Sequence, residues 1–304
     1  MIPQLEALGM GAKILTPLEA VDIDLGPLSK LKGTWVGKPF HGWNVISVPG
    51  RGTDGFVLEV IPYQETLTFS PAILAAENRG PVINNMERIQ DIVGLMYEQT
   101  ITSVCPTDFC YQRGFGAGNK IHAETGMLLN IKNFEAKYDV VRLSTIPHGN
   151  ALLAPGRSAT SLPGNNDFIG KAPTLPTSLN GQPIPGYGTA QFMKTYFPTF
   201  NQEDPNTFLT ATLGNRKITA MTTLTFSTEN ESGGILNIPF LQNNVKATRV
   251  TATFWIETIK NPIAGEADTL QLQYSQTINL VFPPTATDVP VVWPHVTVNT
   301  LIRQ

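Results

Sequence analysis

The segment at residues 270–282 (LQLQYSQTINLVF) constrains the fold of this chain more than any other. Apolar and polar side chains alternate along its whole length. Its apolar face carries Leu270, Leu272, Tyr274, Ile278, Leu280 and Phe282, and only Gln276 interrupts it. A period of two over this length is typical of a β-strand with one buried face and one wet face.

The same alternation recurs along the chain. Residues 249–257 and 217–226 place apolar side chains on one face and Thr, Lys, Arg or Glu on the other. Further candidate strands lie at about 34–48, 56–69, 93–103, 121–131, 139–147, 151–154 and 295–302. Turn signals such as RGTDG and NPIAGEAD separate them. The sequence therefore predicts about ten strands.

Half-polar strands argue against a parallel α/β sheet, whose strands are apolar on both faces. Closing into a barrel removes the exposed edges of so many strands. A chain of 304 residues is long for one domain, but β-barrels reach this size. We therefore predict an all-β fold: residues 1–304 form a single, about ten-stranded, antiparallel up-and-down β-barrel that holds a hydrophobic ligand.

Charge and patterning restrict the partners. Charged residues are 15% of the chain, against roughly 25% in typical globular proteins. The net charge is −3 and there is no run of Lys or Arg, which disfavours nucleic acid and anionic membranes as partners. We see neither a signal-peptide pattern nor a membrane-spanning apolar stretch, and predict a cytoplasmic location without membrane insertion. An oligomer is possible.

Two regions depart from the strand pattern. Residues 1–30 are predicted to form an irregular arm with a short helix near 28–31. Residues 155–216 are rich in Pro, Gly, Asn and Ser, yet they also carry Phe192, Met193, Tyr196, Phe197, Phe200 and Phe208. So many apolar groups argue against a disordered linker, and we expect an ordered loop and helix insertion that covers one barrel mouth. The insertion includes a predicted short helix in DPNTFLTATL, with Asp204 as N-cap and Pro205 at the first helical position.

The remaining polar residues give little catalytic signal. GxSxG, HExxH and a Walker lysine loop are absent from the sequence. Glu59 and Glu65 are interpreted as solvated strand residues. The spacing of Cys105 and Cys110 fits no common zinc motif, and in a cytosolic protein we favour two thiols over a disulfide.

There are only four histidines. His295 lies in VVWPHVTVNTLIR and is expected to share a strand face with Trp293, Thr297 and Leu301. His148, in IPHG, is predicted to have a capping or surface role at a turn. Taken on its own residues, each histidine is more often structural than a ligand.

Several segments resemble, in order, the nitrobindin family, whose members are similar to lipocalins and fatty-acid-binding proteins and bind haem b in a ten-stranded barrel. They are PLSKLKGTWVGKPF, ETLTFS, GLMYEQT, HAETGMLLNI, LQLQYSQT and HVTVNTLIR. The resemblance covers roughly 27–148 and 217–304. The chain departs from the family in the 155–216 insertion, in GMLLN after HAETG, and in Pro294 before the last histidine, so it resembles a distant, enlarged member.

The resemblance implies a function. His295 would ligate the iron of haem b, leaving the sixth position open for nitric oxide, a peroxide or peroxynitrite. The resemblance places His122 on the distal side, as a candidate for catalysis of peroxynitrite isomerisation, and a structural role at the strand end is equally compatible with its sequence. Trp293, Thr34 and Met127 would be further haem contacts, and Met127 is equally well an ordinary barrel side chain.

Two alternatives stay open at this point. The barrel is equally suited to a haem-free carrier of a lipid or another small hydrophobic molecule. A haem peroxidase or peroxygenase would instead need a distal acid/base pair, for example His122 with Arg142.

Overall fold

The computed structural model describes residues 12–13, 24–49, 56–70, 75–132, 137–163, 167–184, 196–282 and 290–304. Ten long strands form its framework: β2 (Gly33–Pro49), β3 (Phe56–Ser70), β5 (Met86–Ser103), β6 (Lys120–Lys132), β7 (Val140–Ile146), β8 (Asn150–Ser161), β10 (Ile218–Ser227), β12 (Lys246–Ile259), β13 (Thr269–Phe282) and β14 (Val291–Arg303). Four further strands are not part of this framework: β1 (Ala12–Lys13), β4 (Ala75–Ile83), β9 (Thr177–Ser178) and β11 (Gly234–Asn237). The helices are a 3-10 helix (Gly26–Leu31), α1 (Asp108–Gln112), α2 (Asn206–Leu213) and α3 (Pro239–Asn244).

The ten long strands close into an antiparallel barrel. Each pairs with the next long strand along the chain, and β14 pairs back with β2. The other strands pair with this barrel from outside: β4 pairs with β5, β11 pairs with β8, and β9 pairs with β14. The predicted all-β, up-and-down barrel is therefore confirmed.

The alternation that predicted the strands also separates the inside of the barrel from the outside. On β13, Tyr274 and Ile278 face a central cavity, and so does Gln276, the residue that interrupts the apolar face. On β14, His295 and Thr297 line the same cavity, so the side chains between them point outward.

One end of the barrel is plugged by the predicted short helix. Leu28 and Leu31 of the 3-10 helix are fully buried beside Trp35, the third residue of β2. The Trp35 indole Nε1 donates a hydrogen bond to the Leu31 carbonyl oxygen at 2.6 Å. This hydrogen bond satisfies the only polar group of the Trp35 side chain, which closes this end of the barrel. The rest of the predicted arm, residues 1–11 and 14–23, lies outside the described residues.

The described part of the predicted insertion lies against the outer wall of the barrel. Phe200 and Leu209 pack on Trp43 and Val298, whose neighbours Asn44 and Thr297 face the cavity. The Trp43 and Phe200 rings stack with centroids 4.2 Å apart. These residues cover a wall, because the outward face of β2 and β14 is itself apolar. The expected cover over a barrel mouth stays a prediction. Phe192 and Met193 lie outside the described residues.

The boundaries of the insertion also differ from the prediction. Residues 155–161 belong to β8, so the insertion begins only after this strand. Helix α2 begins at Asn206, with Pro205 as the N-cap. Asp204 therefore does not cap it: its Oδ1 accepts a hydrogen bond from the backbone N of Ala172 at 2.9 Å. The carboxylate joins two parts of the insertion.

The prediction of two thiols is wrong, since Cys105 and Cys110 form a disulfide. The bond closes the loop that carries α1, and the sulfurs are buried against Ile61 of β3. Disulfides are rare in cytosolic proteins, and the expected cytoplasmic location, which the structure does not test, stays a prediction. Across the described ranges, no helix has the length and apolar character needed to span a membrane.

Candidate functional site

The barrel encloses a cavity of about 640 Å³, a size typical of small-molecule sites. It lies toward the end opposite the Trp35 plug. There it is bordered by Phe115 from the disulfide loop, by His148 in the turn between β7 and β8, and by Phe240 and Leu241 of α3. Most of the lining is apolar, with a smaller set of polar side chains. We therefore take this cavity as the candidate site.

His295 projects into the cavity from β14. Its Nε2 lies 2.5 Å from Oδ1 of Asn44 on the neighbouring strand β2, and Thr297 Oγ1 donates to the same oxygen at 3.1 Å. Because the Asn44 oxygen only accepts, Nε2 carries the proton and Nδ1 keeps the free electron pair. Burial, with smaller contributions from His122 and His148, lowers the pKa of His295 to about 3, so the imidazole is neutral at physiological pH.

A second group of polar residues connects three strands. Arg142 of β7 donates through Nη2 to Oε1 of Glu124 on β6 at 2.6 Å, and His122 Nε2 lies 3.4 Å from the other oxygen of this carboxylate. The Tyr97 hydroxyl also donates to Glu124. Burial alone would raise the pKa of Glu124, but the Arg142 guanidinium and these hydrogen bonds lower it below the usual range. Glu124 is therefore a buried carboxylate paired with a buried guanidinium.

A third polar group lies around Glu65 of β3. Its carboxylate accepts hydrogen bonds from Gln99 Nε2 at 2.7 Å, the Tyr274 hydroxyl at 2.7 Å and Asn299 Nδ2 at 2.6 Å. The Tyr63 and Tyr274 hydroxyls are 2.9 Å apart. Burial raises the pKa of Glu65, and the three hydrogen bonds oppose this shift. Three donors from three different strands hold the wall of the cavity in one arrangement.

Some of the residues that the sequence proposed for the site line the cavity, and others do not. His295 and His122 line the cavity, and Arg142, the suggested partner of His122, meets it at the Glu124 carboxylate. Thr34 and Met127 are not among the residues that line the cavity. Each directly precedes a core residue, Trp35 or Leu128, and therefore points to the outer face.

Trp293 is buried, but it belongs to the apolar cluster that contains Trp43 and Val291 and is not part of the cavity lining. His148, predicted at a surface turn, instead borders the cavity, and its ring centroid lies 6.2 Å from that of His122. The structure therefore brings three of the four histidines to one cavity.

Sequence reasoning missed several site residues. Glu59 and Glu65 were expected in solvent, but both are buried, Glu59 against Arg113 Nη1 at 2.9 Å. Tyr97, Gln99 and Gln276 were not singled out for the site. The signal for Gln276 was present, because a polar residue on an otherwise apolar strand face requires a buried partner. That partner is Arg142, whose Nη1 donates to Gln276 Oε1 at 2.6 Å.

Comparison with known proteins shows a distant likeness of shape. No family model matches the chain, and no curated protein matches it significantly. A crystal structure of Rv2717c from M. tuberculosis is similar with a TM-score of 0.42 and 17% identity, covering 92% of this chain and 99% of that one. At the level of the coarse fold, the ten-stranded antiparallel barrel fits the expected nitrobindin-like and lipocalin-like architecture.

Proposed function

We propose that this protein binds a small hydrophobic molecule inside the barrel. The observation that carries the proposal is the cavity of about 640 Å³, which lies inside the barrel and is mainly lined by apolar side chains. Cavities of this size bury most of a small ligand, and a few polar groups then fix its orientation. Here those groups project from rigid strands and are held by their neighbours through hydrogen bonds.

The first proposed ligand is haem b, with His295 as the axial residue. A haem iron needs a neutral imidazole that offers a free electron pair. His295 meets this requirement, since burial lowers its pKa to about 3 and it lines the cavity. Its free electron pair is on Nδ1, because Nε2 is bonded to Asn44. His295 would therefore hold haem iron through Nδ1, or through Nε2 once the Asn44 bond is released.

Haem with one axial histidine supplies an open iron position for nitric oxide, a peroxide or peroxynitrite. The residues of the chain would hold and surround it. His295 orients the cofactor, the apolar side chains exclude water, and His122 is the proposed distal residue. His122 Nε2 already lies near the ionised Glu124, which favours a proton on this nitrogen. Peroxynitrite isomerisation and peroxidase-like turnover are therefore proposed as the activities to test.

A haemin titration tests this proposal. We expect purified protein to give a saturable Soret band, and His295→Ala to lose or shift it. The matched control is His41→Ala, because His41 is only half-buried and is not part of the described cavity lining. A Soret band that is identical in wild type and His295→Ala would remove His295 from the axial role.

The second proposed function is a haem-free carrier of a lipid-like molecule. The hydrogen bond between His295 and Asn44 favours it, because the imidazole that would hold the haem iron is already engaged within the protein. Native mass spectrometry of the protein as isolated separates the two functions. A co-purifying organic ligand without absorbance near 400 nm would support the carrier, whereas a bound mass matching iron protoporphyrin would support haem.

A further inference from the structure

Each nitrogen of the buried Arg142 guanidinium donates a hydrogen bond within the protein. Its Nη2 donates to Glu124 at 2.6 Å, its Nη1 to Gln276 at 2.6 Å, and its Nε to the Tyr97 hydroxyl at 3.1 Å. Each nitrogen thus has one partner, and the Arg142 and Glu124 side chains are only 4% and 0% exposed. The positive charge is neutralised before a ligand arrives.

No other residue of this kind faces the ligand in the described part of the lining. Among the described residues that line the cavity, Arg142 is the only Asp, Glu, Lys or Arg. His295 and His148 are neutral at physiological pH, because burial lowers the pKa of each. The third histidine of the lining, His122, has its Nε2 3.4 Å from the Glu124 carboxylate. Glu65 is on the inward face of β3 with Tyr63 and Leu67 but is not part of the lining. Gln99, Tyr274 and Asn299 donate to its oxygens.

A charged group that enters such a cavity loses its hydration and finds no counter-charge. Burial of an unpaired carboxylate or sulfonate is strongly unfavourable. A hydroxyl or carbonyl group loses much less, and it can exchange hydrogen bonds with the Gln276, Tyr274 or Thr297 side chains that line the cavity. The cavity is therefore polar in places but electrically neutral.

We propose that Glu124, by neutralising Arg142, makes the inner cavity selective for ligands whose buried part is uncharged. This inference rests on the proposed function, since it concerns the ligand class of the same cavity. It assigns Glu124 a role as specificity-determining residue: it sets the charge of the site without needing to touch the ligand. Any anionic group of a ligand must then remain at the mouth.

Two fluorescent probes with the same aromatic skeleton test the inference on the wild-type protein. N-phenyl-1-naphthylamine is uncharged, and 8-anilino-1-naphthalenesulfonate differs from it only by a sulfonate. We expect the uncharged probe to bind at least tenfold more tightly. Ile278→Trp, which fills the cavity from β13, identifies binding at the surface, because surface binding survives this substitution.

Glu124→Gln gives the sharper test, because the amide keeps an acceptor for Arg142 and Tyr97 but removes the neutralising charge. We expect the sulfonate probe to gain at least tenfold in affinity, with the uncharged probe changed less than twofold. The double variant Glu124→Gln/Arg142→Met is the matched control, and in it the gain should vanish. If Glu124→Gln does not fold, the wild-type probe ratio still decides the question.

The outcomes separate the inference from the proposed function. If the sulfonate probe binds wild type as tightly as the uncharged probe, and Ile278→Trp abolishes both, the inference is wrong while cavity binding stands. An unchanged affinity of folded Glu124→Gln for the sulfonate would also overturn it. If no cavity-dependent binding of either probe occurs, the proposed function itself fails.

Discussion

The Nε2 atom of His295 lies 2.5 Å from Oδ1 of Asn44, across the seam where the last barrel strand pairs with the first. The same oxygen also accepts from Thr297. This arrangement fixes the tautomer and the orientation of a partly buried imidazole that no carboxylate contacts in the described residues. A histidine held in this way resists protonation, since the charged form would lose hydration and gain no counter-charge.

We therefore expect His295 to stay neutral far below the usual histidine range. Its pKa is lowered to about 3 by burial first, and then by His122 and His148. The unfolded chain takes up this proton near pH 6.5, whereas the folded chain does not, so stability is complete above that pH and falls with acidification toward pH 3. Histidine side-chain NMR checks this directly. A His295 titration midpoint near 6.5 would contradict the buried, neutral state.

Asn44→Ala should strengthen haem binding if the iron takes Nε2. The wild-type protein must first break the His295–Asn44 hydrogen bond, whose net contribution is about 1 kcal/mol, or about fivefold in affinity. The measurement is a haemin titration followed at the Soret band. Asn150→Ala is the matched control, because Asn150 also lines the cavity but bonds to Asn237 instead. Equal haem affinity for Asn44→Ala and wild type would place the iron on Nδ1 or elsewhere.

The sequence was sufficient to predict the barrel, because strand alternation is a local pattern with a direct physical cause. Residues 270–282 predicted β13 to within one residue at its first position, and 139–147 matches β7 to within one residue at each end. The predicted strand at 93–103 missed the first part of β5, which pairs with β4 outside the barrel. That part is largely exposed and lacks an apolar face to reveal it.

The site was harder to predict because its contacts join residues far apart in sequence. Arg142 and Gln276 are 134 positions apart, and Tyr63 and Tyr274 are 211 apart. Alternation tells which face a residue occupies, but not which residues meet across the barrel. His295 was found through a family resemblance, whereas Glu65 was misplaced because a buried carboxylate is rare and needs donors that the local sequence does not reveal.

Glu257 gives a second pH dependence, of opposite sign. It lies on the outward face of β12 under the insertion, where burial raises its pKa to about 7 and the hydrogen bond from Gln271 opposes the shift. The folded state holds a proton that the unfolded chain has already released, so stability falls as pH rises from about 4.5 to about 7. The loss is about 3 kcal/mol.

Glu257→Gln should remove this loss, because the amide keeps an acceptor for Gln271 without a charge. Urea unfolding at pH 5 and pH 8 measures it: the variant should gain stability over wild type at pH 8 and differ little at pH 5. Glu98→Gln, at an exposed position of β5, is the control and should change neither value. A Glu257→Gln protein less stable than wild type at pH 8 would show that the carboxylate has a stabilising partner.

The Cys105–Cys110 disulfide should affect both the stability of the protein and the mouth of the cavity. It closes a short loop, and loop-closure entropy for a ring of this size corresponds to about 2 kcal/mol. Phe115, five residues beyond this closed loop, lines the cavity, and its backbone N donates to the Cys110 carbonyl oxygen at 2.8 Å. We expect Cys105→Ser/Cys110→Ser to lose about this much stability and to release N-phenyl-1-naphthylamine faster than wild type in stopped-flow dilution.

Dithiothreitol should produce the same two changes in wild type and none in the variant. Unfolding that is the same in variant, reduced and oxidised protein would mean that the loop is held by its apolar contacts with Ile61 and not by the bond.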